Sequence, residues 1–264
     1  MDVSPILDQL NDAQREAVSA APGHQLILAG AGSGKTRVLV HRIAWLLQVE
    51  QISAYSVMAV TFTNKAAREM RGRLEELLQV NPRGMWVGTF HGLAHRLLKT
   101  HWQEAGLPQN FQILDGDDQL RLVKRVCLEL KLDDKQWPAK QAQWWINGQK
   151  DEGLRPEYIP ESADPYLSTM LQIYRTYEAA CKRGGMVDFG ELLLRAHELW
   201  LNNPALLSHY QERFPYILVD EFQDTNTIQY AWLRVLAGNR CCVTAVGDDD
   251  QSIYSWRGAR VDHD

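Results

Sequence analysis

Three short stretches carry residue types that could do chemistry together. The first, Ala29-Gly30-Ala31-Gly32-Ser33-Gly34-Lys35-Thr36, orders glycines, a lysine and a hydroxyl as in a phosphate-binding loop. Apolar Leu26, Ile27 and Leu28 precede it, and Val38, Leu39, Arg42, Ile43 and Leu46 follow at helical spacing, so a strand-to-helix turn is expected there. Gly30, Gly32 and Gly34 let the backbone take positive φ and bring N–H groups close to phosphate oxygens, where a helix N-terminus also favours negative charge. Lys35 would reach the β- and γ-phosphates of a nucleoside triphosphate, with Arg37 beside it, and Thr36 would hold Mg²⁺. Ala29 stands where the strict pattern has Gly. A glycine-rich turn without a ligand is the alternative, disfavoured by the flanking strand and helix.

The second stretch is Ile217-Leu218-Val219-Asp220-Glu221-Phe222-Gln223-Asp224, an apolar run ending in adjacent carboxylates. Such a strand places the acids at the carboxyl edge of a sheet, where open α/β folds bind ligands. Asp220 would bind Mg²⁺ opposite Thr36, and Glu221 would orient and deprotonate the water that attacks a γ-phosphate. Alone, an acidic pair after a strand is more often a loop start or a helix cap; beside a phosphate loop the catalytic reading prevails. The third stretch runs from Val246-Gly247-Asp248 through Gln251, Tyr254, Trp256 and Arg257 to Ala259, again after a strand-like run. Its acids lack the Gly and terminal Glu of an EF-hand. Gln251 suits sensing of a terminal phosphate, while Tyr254, Trp256 and Arg257 offer stacking surface and charge for single-stranded bases. Taken singly, Trp256 reads as core, because most of the nine tryptophans must be structural.

The elements that must position these groups follow a recurring strand, loop, helix grammar. Asn11 or Asp12 caps a short helix, with Gln14 placed to complete a capping box. Val57 to Thr61 is a second strand, with Thr63, Asn64 and Lys65 opening a helix; Met85 to Thr89 is a third, followed by a helix from His91 to Thr100. Helical periodicity then dominates at Asp118–Leu130, Ala139–Lys150, Tyr166–Arg183, Phe189–Trp200 and Ala205–Arg213, and strands return at Tyr216–Asp220 and Cys242–Val246. The expected fold is therefore α/β, a parallel P-loop core built from residues 1–89 and 215–264 and interrupted by an all-helical insert at 90–214.

A chain of 264 residues with a formal charge of -5 has the composition of a globular protein without overall attraction to nucleic acid. Charge is uneven: Lys35 to Lys99 holds ten Lys or Arg against four Glu, a local +6, though a solvated helix face accounts for much of it. The first residues lack a basic segment and an apolar core, and no run approaches membrane-spanning length, so a cytoplasmic location is expected. Cys127, Cys181, Cys241 and Cys242 show no Cys-x-x-Cys spacing and are read as reduced, buried thiols.

Gln14 in Leu-Asn-Asp-Ala-Gln-Arg-Glu-Ala-Val, the 29–36 loop, Thr61-Phe62-Thr63-Asn64-Lys65-Ala66-Ala67, Gly88-Thr89-Phe90-His91, the 219–224 acids and Gly247 to Ala259 resemble, in order, the N-terminal motifs of UvrD/Rep-type superfamily 1 DNA helicases. The resemblance spans nearly the whole chain. It implies a RecA-like core that uses ATP and Mg²⁺ to move 3′ to 5′ along single-stranded DNA, with repair proteins as partners. It implies that Gln14 reads adenine, that Gln251 couples nucleotide state to DNA grip, and that Phe62, Thr63, Asn64, Thr89, His91, Tyr254, Trp256 and Arg260 touch DNA. The helical insert becomes an accessory subdomain contacting duplex at single/double-strand junctions. The family continues into a second RecA-like lobe supplying arginines to the γ-phosphate, which lies outside these residues. A rival reading is an ATP- and DNA-binding module without turnover.

Other features take plainer readings. His91 and His95 are four apart, but no Cys or further His completes a metal site. Asp188-Phe189-Gly190 copies a kinase tripeptide without the kinase catalytic loop and is read as the cap of an amphipathic helix. Trp144, Trp145 and Trp200 are read as packing.

Overall fold

A computed structural model describes residues 1–28 and 34–247. In chain order the strands are β1 (Gln25–Leu28), β2 (Val57–Thr61), β3 (Trp86–Thr89), β4 (Gln112–Leu114), β5 (Met186–Asp188), β6 (Tyr216–Val219) and β7 (Cys242–Gly247). The helices are α1 (Ser4–Leu7), α2 (Asp12–Ser19), α3 (Lys35–Gln48), α4 (Asn64–Leu78), α5 (Phe90–Thr100), α6 (Gly116–Glu129), α7 (Ala139–Asp151), α8 (Pro165–Gly184), α9 (Phe189–Asn202), α10 (Pro204–Arg213) and α11 (Thr227–Ala237). Two compact units result. The first gathers residues up to 93, 204–225 and those from 233 on; the second holds 94–203 and 226–232. The chain therefore divides within α5 and α11, and α10 falls with the first unit, a little apart from the expected breaks at 89/90 and 214/215.

The first unit is built on a five-stranded parallel sheet in the order β1-β7-β6-β2-β3. Every residue of β2 is buried, as a central parallel strand covered on both faces requires. Val57 and Ala59 of β2, Leu218 of β6 and Val246 of β7 pack with Val38, Leu39 and Ile43 of α3 and with Met70 and Leu74 of α4 in one core. The α2 cap forms as expected: Asn11 accepts from Gln14 N while Gln14 Oε1 accepts from Asn11 N at 3.0 Å. The α2 C-terminus is fixed by Arg42, 1% exposed, which donates to the carbonyls of Val18 (2.8 Å), Ala20 and Ala21. One of the ten cations of the basic stretch is thus internal. Helix α10 is anchored by aromatic contact, with Tyr210 and Phe214 against Trp86 at 5.8 and 5.0 Å. Next to them the Arg213 guanidinium lies over the Tyr55 ring at 3.8 Å and donates to Gly84 O at 2.9 Å.

The second unit is mainly helical, and three of its helices begin on aspartate side-chain caps, whereas α7 follows Pro138 without one. Asp115 opens α6, Asp164 opens α8 and Asp188 opens α9 by accepting from Glu191 N. Gly185, at φ 61°, closes α8. One addition to the expected all-helical insert is the parallel pairing of β4 with β5, three residues each. Runs that short carry no readable period. The core of this unit also holds an ion cluster. Lys150, 1% exposed, lies 2.7 Å from Glu178, 2.8 Å from Asp188 and 3.2 Å from Glu191, while Arg155 pairs with Glu191 and Glu198. Burial opposes the Lys150 charge, but Asp188, Glu191 and Glu178 hold its pKa well above the usual lysine value. Asp188 is therefore both helix cap and counter-ion. Trp200 is core, stacked with Trp232 at 6.3 Å. Trp144 is not: the buried positions of α7 are Ala142, Ile146 and Lys150, so Trp144 falls on the far side of the helix and is 75% exposed. Cys127, Cys181 and Cys241 are buried thiols outside any disulfide, but Cys242, at the start of β7, is only half-buried.

Candidate nucleotide site at the carboxyl edge of the sheet

The ladder register fixes which residues share the carboxyl edge. Leu28 pairs with Gly247, Val219 with both Val60 and Ala245, and Thr61 with Thr89. The carboxyl ends of these five strands therefore lie along one edge of the sheet, and each of the three chemical stretches adjoins in sequence a strand that ends there.

After the loop, Gly34 is the N-cap of α3 at φ 73°, a conformation that disfavours any side chain. It offers no side-chain cap, so no N-cap side chain competes for the first-turn amides of α3, groups of the kind that suit an anion. Lys35 opens the helix, with Thr36 half-buried and Arg37 exposed beside it. The Lys35 Nζ lies 3.4 Å from Glu221 Oε2. Residues 29–33, including Ala29, Gly30, Ala31, Gly32 and Ser33, lie outside the described residues, as do Gln251, Tyr254, Trp256 and Arg260.

At the end of β6, Asp220 continues the sheet by donating its N–H to Val60 O at 3.1 Å. Glu221 then turns left-handed, φ 51° and ψ 44°, which is uncommon for a side chain of this size. That turn ends the strand alternation, so two consecutive carboxylates need not point to opposite faces. Asp220 is 5% exposed, and its Oδ1 is buried with no hydrogen-bond partner among the described residues. Burial, reinforced by the neighbouring Glu221 charge, pushes the Asp220 carboxyl up to about 6. A buried carboxylate oxygen lacking a donor is an expensive arrangement in a protein on its own and a suitable one for a cation. Gln223 donates from Nε2 to Glu221 Oε2 at 2.5 Å.

On the β2 and β3 side, Thr63 caps α4 by accepting from Ala66 N at 3.0 Å, leaving Asn64 exposed at the first position of the helix. Thr89 accepts from Gly92 N at 2.9 Å at the start of α5. Phe62 meets Phe90 edge to face at 5.2 Å. His91 is half-buried, and burial lowers its pKa, which favours the neutral ring. Gln14 sits on α2 with its Oε1 engaged in the capping box, the plainer of its two readings.

The sequence profile of the UvrD/REP helicase N-terminal domain matches residues 10–263. The chain belongs to the UvrD/REP helicase family. It is 65% identical over 263 residues to the DNA helicase II of Escherichia coli K12, an alignment covering 100% of this chain and 36% of the relative. The DNA helicase II of Haemophilus influenzae is 57% identical over 267 residues, with 100% and 37% covered. The ATP-dependent DNA helicase PcrA of Leuconostoc citreum is 43% identical over 265 residues, with 100% and 35% covered. The chain thus spans little more than a third of the length of the curated relatives it matches.

Membership of the UvrD/REP family fits the parallel sheet and the order of motifs along its edge. Among the described candidates, Lys35 and Glu221 meet directly, and Asp220 adjoins Glu221 in the chain. Two contributors were missed from sequence. Gln223 lay inside the acidic motif with no role assigned, and its only sequence signal was its spacing of two from Glu221. Gly247 was read as part of a motif, without a reason for its lack of side chain.

Proposed function

We propose that this chain forms the ATP-binding part of an ATP-dependent DNA helicase that moves 3′ to 5′ on single-stranded DNA and unwinds duplex. The observation that carries the reading is the contact of Lys35 with Glu221, next in the chain to Asp220, whose buried Oδ1 has no hydrogen-bond partner among the described residues, at the carboxyl edge of a parallel sheet. The donor set suits Mg-ATP: oxygen ligands for a hard cation, and a lysine with first-turn amides for phosphates. In this reading Thr36 and Asp220 hold Mg²⁺, Lys35 and the 29–37 segment bind the triphosphate, and Gln14 meets adenine. Bound Mg²⁺ would neutralise charge developing on the phosphate oxygens. Glu221 takes the proton from the attacking water, and Gln251 relates nucleotide state to DNA grip.

Single-stranded DNA would run past Phe62, Thr63, Asn64, Thr89 and His91, joined by Tyr254, Trp256 and Arg260. Thr63 and Thr89 accept backbone bonds, but a hydroxyl that accepts still carries a donor hydrogen suited to a phosphate oxygen. The residues of the insert would form an accessory subdomain that contacts duplex.

Strand displacement by the full-length protein tests this reading, with a duplex carrying either a 3′ or a 5′ single-stranded tail. ATP-dependent unwinding of the 3′-tailed substrate is expected, abolished in Lys35→Ala. Absence of ATP-dependent displacement on both substrates would refute it.

A further inference from the structure

We propose that Gln223 is a positioning residue for Glu221, and that Gly247 is glycine because the Gln223 side chain occupies the space a Cβ would need. The inference rests on the assignment of Glu221 as the base. Glu221 has a left-handed backbone and a half-buried side chain, so burial alone does not fix its carboxylate. Two donors reach the same oxygen, Lys35 Nζ at 3.4 Å and Gln223 Nε2 at 2.5 Å. The lysine's partner changes when a triphosphate arrives, since its charge is drawn to the phosphates. The Gln223 amide is neutral and follows Glu221 by two residues, so its hold on Oε2 persists while Lys35 turns to the nucleotide.

The other end of the same amide faces β7. A Cβ built on Gly247 would lie 2.7 Å from Gln223 Oε1, closer than such atoms pack. The next neighbours, Gln223 N and Cδ at 3.6 and 3.8 Å, are at ordinary contact. Among the described residues, Gly247 is thus cramped by the tip of one flexible side chain and by no backbone atom. Its φ lies outside the left-handed region, so alanine meets no conformational obstacle there. Gln223 consequently spans the gap between the ends of β6 and β7. Any displacement of Gly247, from which the third motif departs, reaches the base through one amide.

This geometry makes a sharp prediction for a double-mutant cycle in the full-length protein, read as kcat for ATP hydrolysis with oligodeoxythymidine present. Gln223→Ala should lower kcat about tenfold, the rate equivalent of one hydrogen bond to a charged group, with KM for ATP within about twofold. Gly247→Ala should do the same by pushing the amide aside. Combining them should cost no more than Gln223→Ala alone, because the alanine methyl then has nothing to displace. Thermal melts of all four proteins supply the readout that separates positioning from packing: the coupling should appear in kcat and be absent from Tm. A kcat for Gln223→Ala within twofold of wild type, multiplicative effects in the double variant, or coupling of equal size in Tm would each overturn the inference. Glu221→Gln run alongside keeps the two readings apart. If it hydrolyses ATP at the wild-type rate, the base assignment itself has failed; if it is inactive while Gln223→Ala is normal, only the positioning role has failed.

Discussion

Lys35 and Glu221 stand 186 residues apart in the chain and meet at 3.4 Å, lysine ammonium against carboxylate. With the Glu221 side chain 35% exposed, this pair by itself is worth about 0–1 kcal/mol. A triphosphate would bring several negative charges, which the first-turn amides of α3 would help to organise. In the proposed reading, a bound triphosphate draws Lys35 away from this contact.

From that balance, Lys35→Ala should weaken Mg-ATP binding by about ten- to a hundredfold, the loss expected for charge-assisted bonds to phosphate. Affinity for single-stranded DNA should change by less than about twofold. Calorimetric titration of each ligand makes the comparison, and unchanged ATP affinity would remove Lys35 from the site.

A second expectation concerns acid stability. His41 is 7% exposed on α3, with Nδ1 against the carbonyl of Ile6. Burial, with a smaller push from Arg37, lowers its pKa below 6.5. The folded protein thus favours neutral His41, whose contribution is present above about pH 6.5 and is lost as pH falls and the unfolded chain takes up the proton. His41→Gln keeps a donor for Ile6 O and does not titrate. Urea midpoints at pH 7.5 and 5.5 should drop less for the variant than for wild type, and equal drops would argue against this assignment.

The tryptophans separate cleanly. Trp200→Ala removes a side chain 1% exposed and its stacking on Trp232, and should cost about 3–5 kcal/mol. Trp144→Ala, at a site 75% exposed, should stay within about 0.5 kcal/mol of wild type. Denaturant unfolding decides both, and a large loss for Trp144 would contradict its placement.

Much of this was legible in the sequence because strong local signals coincided. The apolar runs before Gly30, Asp220 and Asp248 predicted the strands β1, β6 and β7, and the helical periods from Asp118 to Arg213 matched α6 to α10 within a few residues. Asp188 was readable as a cap because a short acid before an amphipathic run satisfies first-turn amides. Its second partner was not, since a lysine at the end of α7 looks solvated until Asp188, Glu191 and Glu178 close around it. The β4–β5 pair joins residues 74 apart through three-residue strands, below the length at which period two can be seen. Trp144 illustrates the limit of periodicity: Trp144 and Trp145 look equally apolar, and only the placement of Ala142 and Ile146 decides which faces inward.

The central claim is that Asp220 and Glu221 divide the work of ATP hydrolysis, one holding Mg²⁺ and the other acting on water. It is tested most directly by single-turnover hydrolysis of pre-bound ATP in the full-length protein across a Mg²⁺ series. Glu221→Gln should bind ATP with near wild-type affinity and hydrolyse it roughly 10²-fold more slowly or worse at every Mg²⁺ concentration, the scale of a lost general base. Asp220→Asn should instead shift the Mg²⁺ dependence to higher concentration. Wild-type turnover in Glu221→Gln, or an unchanged Mg²⁺ requirement in Asp220→Asn, would contradict the account.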